Sequence, residues 1–256
     1  MAPLEPRERV RQAIESSDGP ALVAFVTAGY PDPQRFLDDL RTIAEVADAI
    51  EVGVPFSDPM ADGVTIQRSS RAAIERGVTL RWIFDELARR DFELEAPVLL
   101  MSYLNPLLAF GYDALAKRAA EAGVAGFIVP DLPYEESAPL RAALDARGLA
   151  LVQLVTPATP RTRLQELAAA SSGFVYAVTR TGITGAGNLP PELADYLAAV
   201  KAASSLPVCA GFGVRERGQV ELIGRHADGV IVGSALVEVL ERGEDPAAFL
   251  RSLKTG

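Results

Sequence analysis

Short apolar runs alternate with amphipathic stretches along almost the whole chain. Residues 21–27, 49–54, 97–101, 126–129, 150–155, 174–178, 207–210 and 229–232 are dominated by Val, Leu, Ile, Ala and Phe. They are too short for helices and read as strands. Between them, apolar residues recur at helical spacing over 33–47, 65–76, 80–90, 112–122, 135–147, 161–170, 191–203, 215–223 and 234–241. Asp32 is placed to cap the first of these, with Pro33 at its first position. A leading amphipathic helix is predicted over 4–16, with Leu4, Val10, Ala13 and Ile14 among charges, and Asp18-Gly19-Pro20 ends it. A last short helix is predicted over 246–253.

The strands are apolar throughout, not alternating, as expected of a parallel sheet buried on both faces. Eight strand–helix units in about 250 residues is the measure of a closed (β/α)8 TIM barrel, here with an extra N-terminal helix. An open doubly wound α/β sheet uses the same alternation with fewer strands. No Pro/Gly/Ser-rich linker divides the chain, so residues 1–256 are expected to form a single barrel domain.

Composition narrows the function. The chain has 256 residues, 49% of them hydrophobic, and a formal net charge of −9. That charge disfavours nucleic acid as a partner. No apolar run approaches the roughly 20 residues that span a bilayer, so no membrane role is expected. Cys209 is the sole cysteine, which rules out an internal disulfide and suits a reducing, cytoplasmic setting. The first 18 residues lack a signal-peptide core.

A barrel places its chemistry where strands end and loops begin. Glu51 stands out there: a carboxylate inside the apolar run 49–54, with Asp62 eleven positions on, in a turn-rich loop. Burying an ionised carboxylate costs several kcal/mol, roughly, unless it is paired or neutral. Two acids in different environments can divide acid/base and electrostatic roles. A structural acid paired to a buried arginine or to backbone N–H groups is the plainer alternative. Tyr103, Asn105 and Asp131 follow the third and fourth strands. Gly211-Phe212-Gly213 and Gly233-Ser234 follow the last two, where barrel enzymes often hold phosphate. Phe25, Leu100, Tyr176 and Phe212 sit at or near strand ends; each alone reads more readily as core, but together with the phosphate loops they suggest a flat apolar slot.

Other chemistries lack their residues. His226 is the only histidine and precedes the eighth strand, on the face associated with stability, which argues against a catalytic triad or a histidine-bound metal. Lys117, Lys201 and Lys254 end no strand, so a Schiff-base mechanism has no nucleophile. Cys209 reads as a packed thiol. Carboxylates, backbone dipoles and apolar shape remain.

Several blocks then resemble one family. Phe25-Val26-Thr27-Ala28-Gly29-Tyr30-Pro31 resembles its opening strand, and Glu51-Val52-Gly53-Val54-Pro55-Phe56-Ser57-Asp58-Pro59-Met60-Ala61-Asp62-Gly63 its signature. Met101-Ser102-Tyr103-Leu104-Asn105-Pro106, Pro130-Asp131-Leu132-Pro133, Thr181-Gly182-Ile183-Thr184-Gly185 and Gly211-Phe212-Gly213-Val214 are similar to later blocks, in order. The resemblance is to the α subunit of tryptophan synthase, over nearly the whole barrel. It implies cofactor-free retro-aldol cleavage of indole-3-glycerol phosphate to indole and glyceraldehyde 3-phosphate, with no metal. Glu51 then matches the family's acid/base glutamate and Asp62 the aspartate facing the indole N–H. Phe25, Leu100, Tyr176 and Phe212 fall at the indole and glycerol pocket. Gly185, Gly213, Gly233 and Ser234 fall at phosphate contacts. Thr184 belongs to a lid over 180–188 that closes onto Asp62, and Gly187 departs from the larger residue expected there.

The resemblance also implies a β-subunit partner carrying pyridoxal phosphate, in an αββα heterotetramer that receives indole through a tunnel. Asp58, Pro59 and Asn105 match its contact surface. Two other readings stay open from the residues: another phosphosugar barrel enzyme, and a non-catalytic regulatory subunit.

Overall fold

Eight parallel strands close on themselves in sequence order in the computed structural model, which describes residues 4–178, 189–211 and 213–254. The strands are β1 (Ala21–Thr27), β2 (Ala49–Gly53), β3 (Val98–Met101), β4 (Val124–Ile128), β5 (Ala150–Val155), β6 (Val175–Val178), β7 (Val208–Gly211) and β8 (Gly229–Val232). β8 pairs back to β1 with Ala21 opposite Gly229, so no edge is left open. This is the predicted TIM barrel.

Among the described residues, twelve α-helices accompany the strands. α1 (Pro6–Glu15) leads; α2 (Phe36–Ala44) follows β1; α3 (Val64–Glu75) and α4 (Leu80–Arg89) follow β2. α5 (Leu104–Phe110) and α6 (Tyr112–Glu121) follow β3, then α7 (Ala138–Asp145), α8 (Arg161–Ala170), α9 (Pro191–Ala203), α10 (Arg217–Gly224), α11 (Ser234–Glu241) and α12 (Pro246–Leu253). The helix expected over 33–47 divides: Asp32 caps a 3-10 turn, Pro33–Arg35, by accepting Gln34 N–H, and α2 ends at Ala44. The helix expected over 135–147 likewise opens with a 3-10 turn, Tyr134–Glu136, before α7. α5 is not foreshadowed by the apolar pattern of the sequence.

Two apolar layers hold the fold. Outward-facing strand residues such as Leu22, Ile50, Val52, Leu100 and Phe127 pack against helix residues such as Leu40, Ile83 and Phe84. Inward-facing residues, among them Val23, Ala49, Leu99, Val152, Phe174, Tyr176, Cys209 and Ile231, fill the barrel. Val10 and Ile14 of α1 join this inner layer and plug its N-terminal end. Aspartates at that end satisfy strand N–H groups: Asp48 Oδ2 accepts from Leu22 at 2.7 Å and Asp228 Oδ2 from Val208 at 2.9 Å. Chemistry is thereby left to the other end.

Candidate active site

Glu51 lies in the middle of β2, between Phe25 of β1 and Leu99 of β3 in the ladder. Its strand neighbours on the same face are Ala49 and Gly53, so its side chain projects into the barrel. It is completely buried, and neither carboxylate oxygen has a hydrogen-bond partner among the described residues. Burial alone pushes its pKa up to about 8, so the carboxyl is mostly neutral at pH 7. The structural alternative, an acid paired to a buried arginine or to backbone N–H groups, is not met among the described residues. The groups that feel its charge are the Tyr176 phenol and the Cys209 thiol.

Asp62 stands above, in the loop between β2 and α3, and is half-buried. Its Oδ2 accepts a hydrogen bond from Tyr103 Oη at 3.2 Å. Desolvation raises its pKa and the tyrosine bond opposes the rise. Two local bonds shape the loop: Asp62 N–H donates to Pro59 O at 3.2 Å, and Gln67 Nε2 to Asp62 O at 2.9 Å. The Tyr176 phenol feels both Glu51 and Asp62, so the two carboxylates border one interior.

A small cavity lies beside Asp62, lined by Phe25, Gly53, Ile66, Met101, Ser102 and Tyr103 among others. The Phe25 ring occupies space that Gly53 leaves free: a Cβ on Gly53 would fall 2.6 Å from Phe25 Cζ. The cavity measures about 20 Å³, room for a water. The wider clefts at the N-terminal end, such as that between α1 and Pro207, are far from these carboxylates in the fold and carry no comparable chemistry.

Leu100 is a correction. Its side chain belongs to the outer layer with Ile50 and Val52, fully buried between sheet and helices. Successive strand residues face opposite sides, so Leu99 and Met101 point inward, and Met101 lines the cavity. Ile66 and Ser70 of α3 also line it and were not foreseen. The register would have found Met101, because it pairs with Gly53, two residues beyond Glu51.

Tyr176 faces inward beside Gly211, where an added Cβ would lie 3.0 Å from Tyr176 Cε1. Gly233 adjoins Phe25, its hypothetical Cβ 3.7 Å from Phe25 Cβ. Ser234 opens α11, which no side chain caps. Gly213 has a φ of +67°, and no described residue lies within 4 Å of a Cβ placed on it. Asp58 and Asn105 are exposed and Pro59 is half-buried. Thr184, Gly185, Gly187 and Phe212 lie outside the described residues. Around the rim, Glu238 of α11 accepts from Thr65 of α3 at 3.1 Å and from Arg215 at 2.7 Å, tying three segments of the mouth together.

Residues 12–255 match the family described as "Tryptophan synthase alpha chain". The chain belongs to that family. A tryptophan synthase alpha chain from Nitratidesulfovibrio vulgaris (strain DP4) is 49% identical over 246 residues, 95% of each chain. One from Bacillus cereus (strain AH820) is 41% identical over 251 residues, 96% of this chain and 97% of that one. A chain of tryptophan synthase from M. tuberculosis superposes with a TM-score of 0.87 at 36% identity, covering 96% of both. Tryptophan synthase subunit alpha from Legionella pneumophila gives a TM-score of 0.86 at 32% identity, covering 98% and 97%. Among the described residues of this tryptophan synthase family member, no group of three or more His, Cys, Asp or Glu could hold a metal, and no helix is long and apolar enough to cross a membrane.

Proposed function

We propose that this chain is the α subunit of a tryptophan synthase and cleaves indole-3-glycerol phosphate to indole and glyceraldehyde 3-phosphate. The observation that carries the reading is Glu51: a neutral, unpaired carboxyl held inside an apolar barrel, below a second carboxylate at the mouth.

Indole carbon 3 leaves poorly until it is protonated. Glu51 donates its proton to that carbon, and positive charge develops on the ring nitrogen. Asp62, ionised, accepts the indole N–H hydrogen bond and stabilises that charge. The carbon–carbon bond then breaks, and its electron pair restores the aromatic ring. The adjacent glycerol hydroxyl becomes the aldehyde as its proton passes to the Glu51 carboxylate, which is neutral again for the next cycle. One residue gives one proton and takes one, so the step balances without a cofactor in this chain.

Phe25, Tyr176 and Met101, the last in place of Leu100, form the apolar wall for the indole, with Phe212 joining them from beyond the described residues. Gly213, Gly233 and Ser234 receive the phosphate at the open start of α11, together with Gly185. Thr184 closes the site over Asp62. The β subunit, with its pyridoxal phosphate, takes the indole in an αββα assembly in the cytoplasm, and Asp58, Pro59 and Asn105 meet it.

Incubation with indole-3-glycerol phosphate should release indole slowly, and many-fold faster once a β subunit is added. Glu51→Gln should lower kcat by about a thousandfold while the substrate still binds. No indole from the folded wild-type protein with its β subunit would overturn the reading.

A further inference from the structure

Tyr103 touches both ends of the loop that carries Asp62. Its ring stacks on Phe56 with centroids 5.0 Å apart and planes 24° apart. Its hydroxyl accepts the Ala61 N–H at 2.8 Å and donates to Asp62 Oδ2 at 3.2 Å. The side chain is buried, and Leu104 N–H next to it donates to Asp131 Oδ1 at 2.9 Å, which anchors this stretch to the following loop. Among the described residues, Tyr103 makes the only hydrogen bond to the Asp62 carboxylate.

We propose that Tyr103 is a positioning residue for the cleavage reaction, holding Asp62 ionised and aimed so that one carboxylate oxygen stays free for the indole N–H. This rests on the proposed function. A hydroxyl that already accepts the Ala61 N–H has its own proton directed at Oδ2, and a donor at Oδ2 leaves Oδ1 for the ligand. Donation to a carboxylate favours its charged form, which opposes the desolvation that Asp62 suffers at the cavity wall. Burial keeps the Tyr103 phenol protonated up to a pKa of about 12, so it remains a donor across the working pH range. The effect falls on the transition state, where the indole nitrogen gains charge, and much less on ground-state binding.

The test is Tyr103→Phe, which keeps the ring and its stack and removes only the hydroxyl. Its kcat for indole release should fall about 10- to 100-fold, the worth of a hydrogen bond to a charged group, with KM changed less than about threefold. The acidic limb of its kcat/KM profile should move to higher pH, because Asp62 loses a bond to its charged form. A ring-fluorinated tyrosine placed at 103 makes the phenol a stronger donor and should move the limb the other way. Phe56→Leu perturbs the same loop but leaves the hydroxyl and should leave the limb in place. A kcat loss with an unmoved limb, a change in KM alone, or a fluorotyrosine shift in the same direction as Tyr103→Phe would each overturn the proposal. Failure of the wild-type protein to release indole would instead overturn the function on which it rests.

Discussion

Glu51 keeps its carboxyl where water cannot reach it, and the protein's stability should register that. The native pKa, about 8, lies above the unfolded value near 4.5. Below the lower value both states hold the proton. Between the two, the unfolded chain ionises and the native carboxyl does not, so stability falls as pH rises through this window, by at most about 5 kcal/mol. Urea denaturation at pH 5.5 and pH 9 should show the decline in the wild type and a much smaller one in Glu51→Gln, which has no proton to lose. The same value sets the basic limb of activity: the reaction needs Glu51 protonated and Asp62 ionised, so kcat/KM should be bell-shaped, with its alkaline limb near pH 8. The residue most visible in the sequence was this one, because a lone acid in an apolar strand breaks the pattern around it. Leu100 was misplaced for the converse reason: Leu99, Leu100 and Met101 are all apolar, and nothing local says which faces the interior.

Within elements, the strands constrain the site through space withheld as much as through groups supplied. Gly53 ends β2 under the Phe25 ring of β1, and even a methyl there meets Cζ at 2.6 Å and Cε2 at 2.9 Å. Gly53→Ala should therefore cost about 1–3 kcal/mol of stability, by overpacking, and raise KM as the Phe25 ring is displaced. Denaturation curves and initial-rate kinetics check both. The strand runs were readable because apolar stretches of four to seven residues bounded by turns can be little else in this rhythm. α5 was hidden because Pro106 falls within it and reads as a breaker. The proline is in the first turn, where its missing N–H has no partner to lose. The 3-10 openings before α2 and α7 were invisible because they differ from an α-helix only in which carbonyl each N–H finds.

Across the whole molecule the two ends of the barrel divide stability from chemistry. Ile14 of α1 is buried in the inner layer at the N-terminal end, remote from Asp62 and the mouth. Ile14→Ala should cost about 2–4 kcal/mol in chemical denaturation through the cavity it leaves, with kcat for indole release unchanged in the folded protein. A parallel fall in kcat would mean that the plug and the site are coupled. The order of residues already carried the eight-fold rhythm, the parallel sheet and the two carboxylates, since periodicity and a misplaced charge are written locally. Which apolar side chains face the ligand, and which hydroxyl holds Asp62, emerged only when the sheet closed. In a strand buried on both sides the inner and outer residues have the same chemistry. Their assignment comes from register and curvature, and contacts such as that of Tyr103 with Asp62 join residues 41 positions apart.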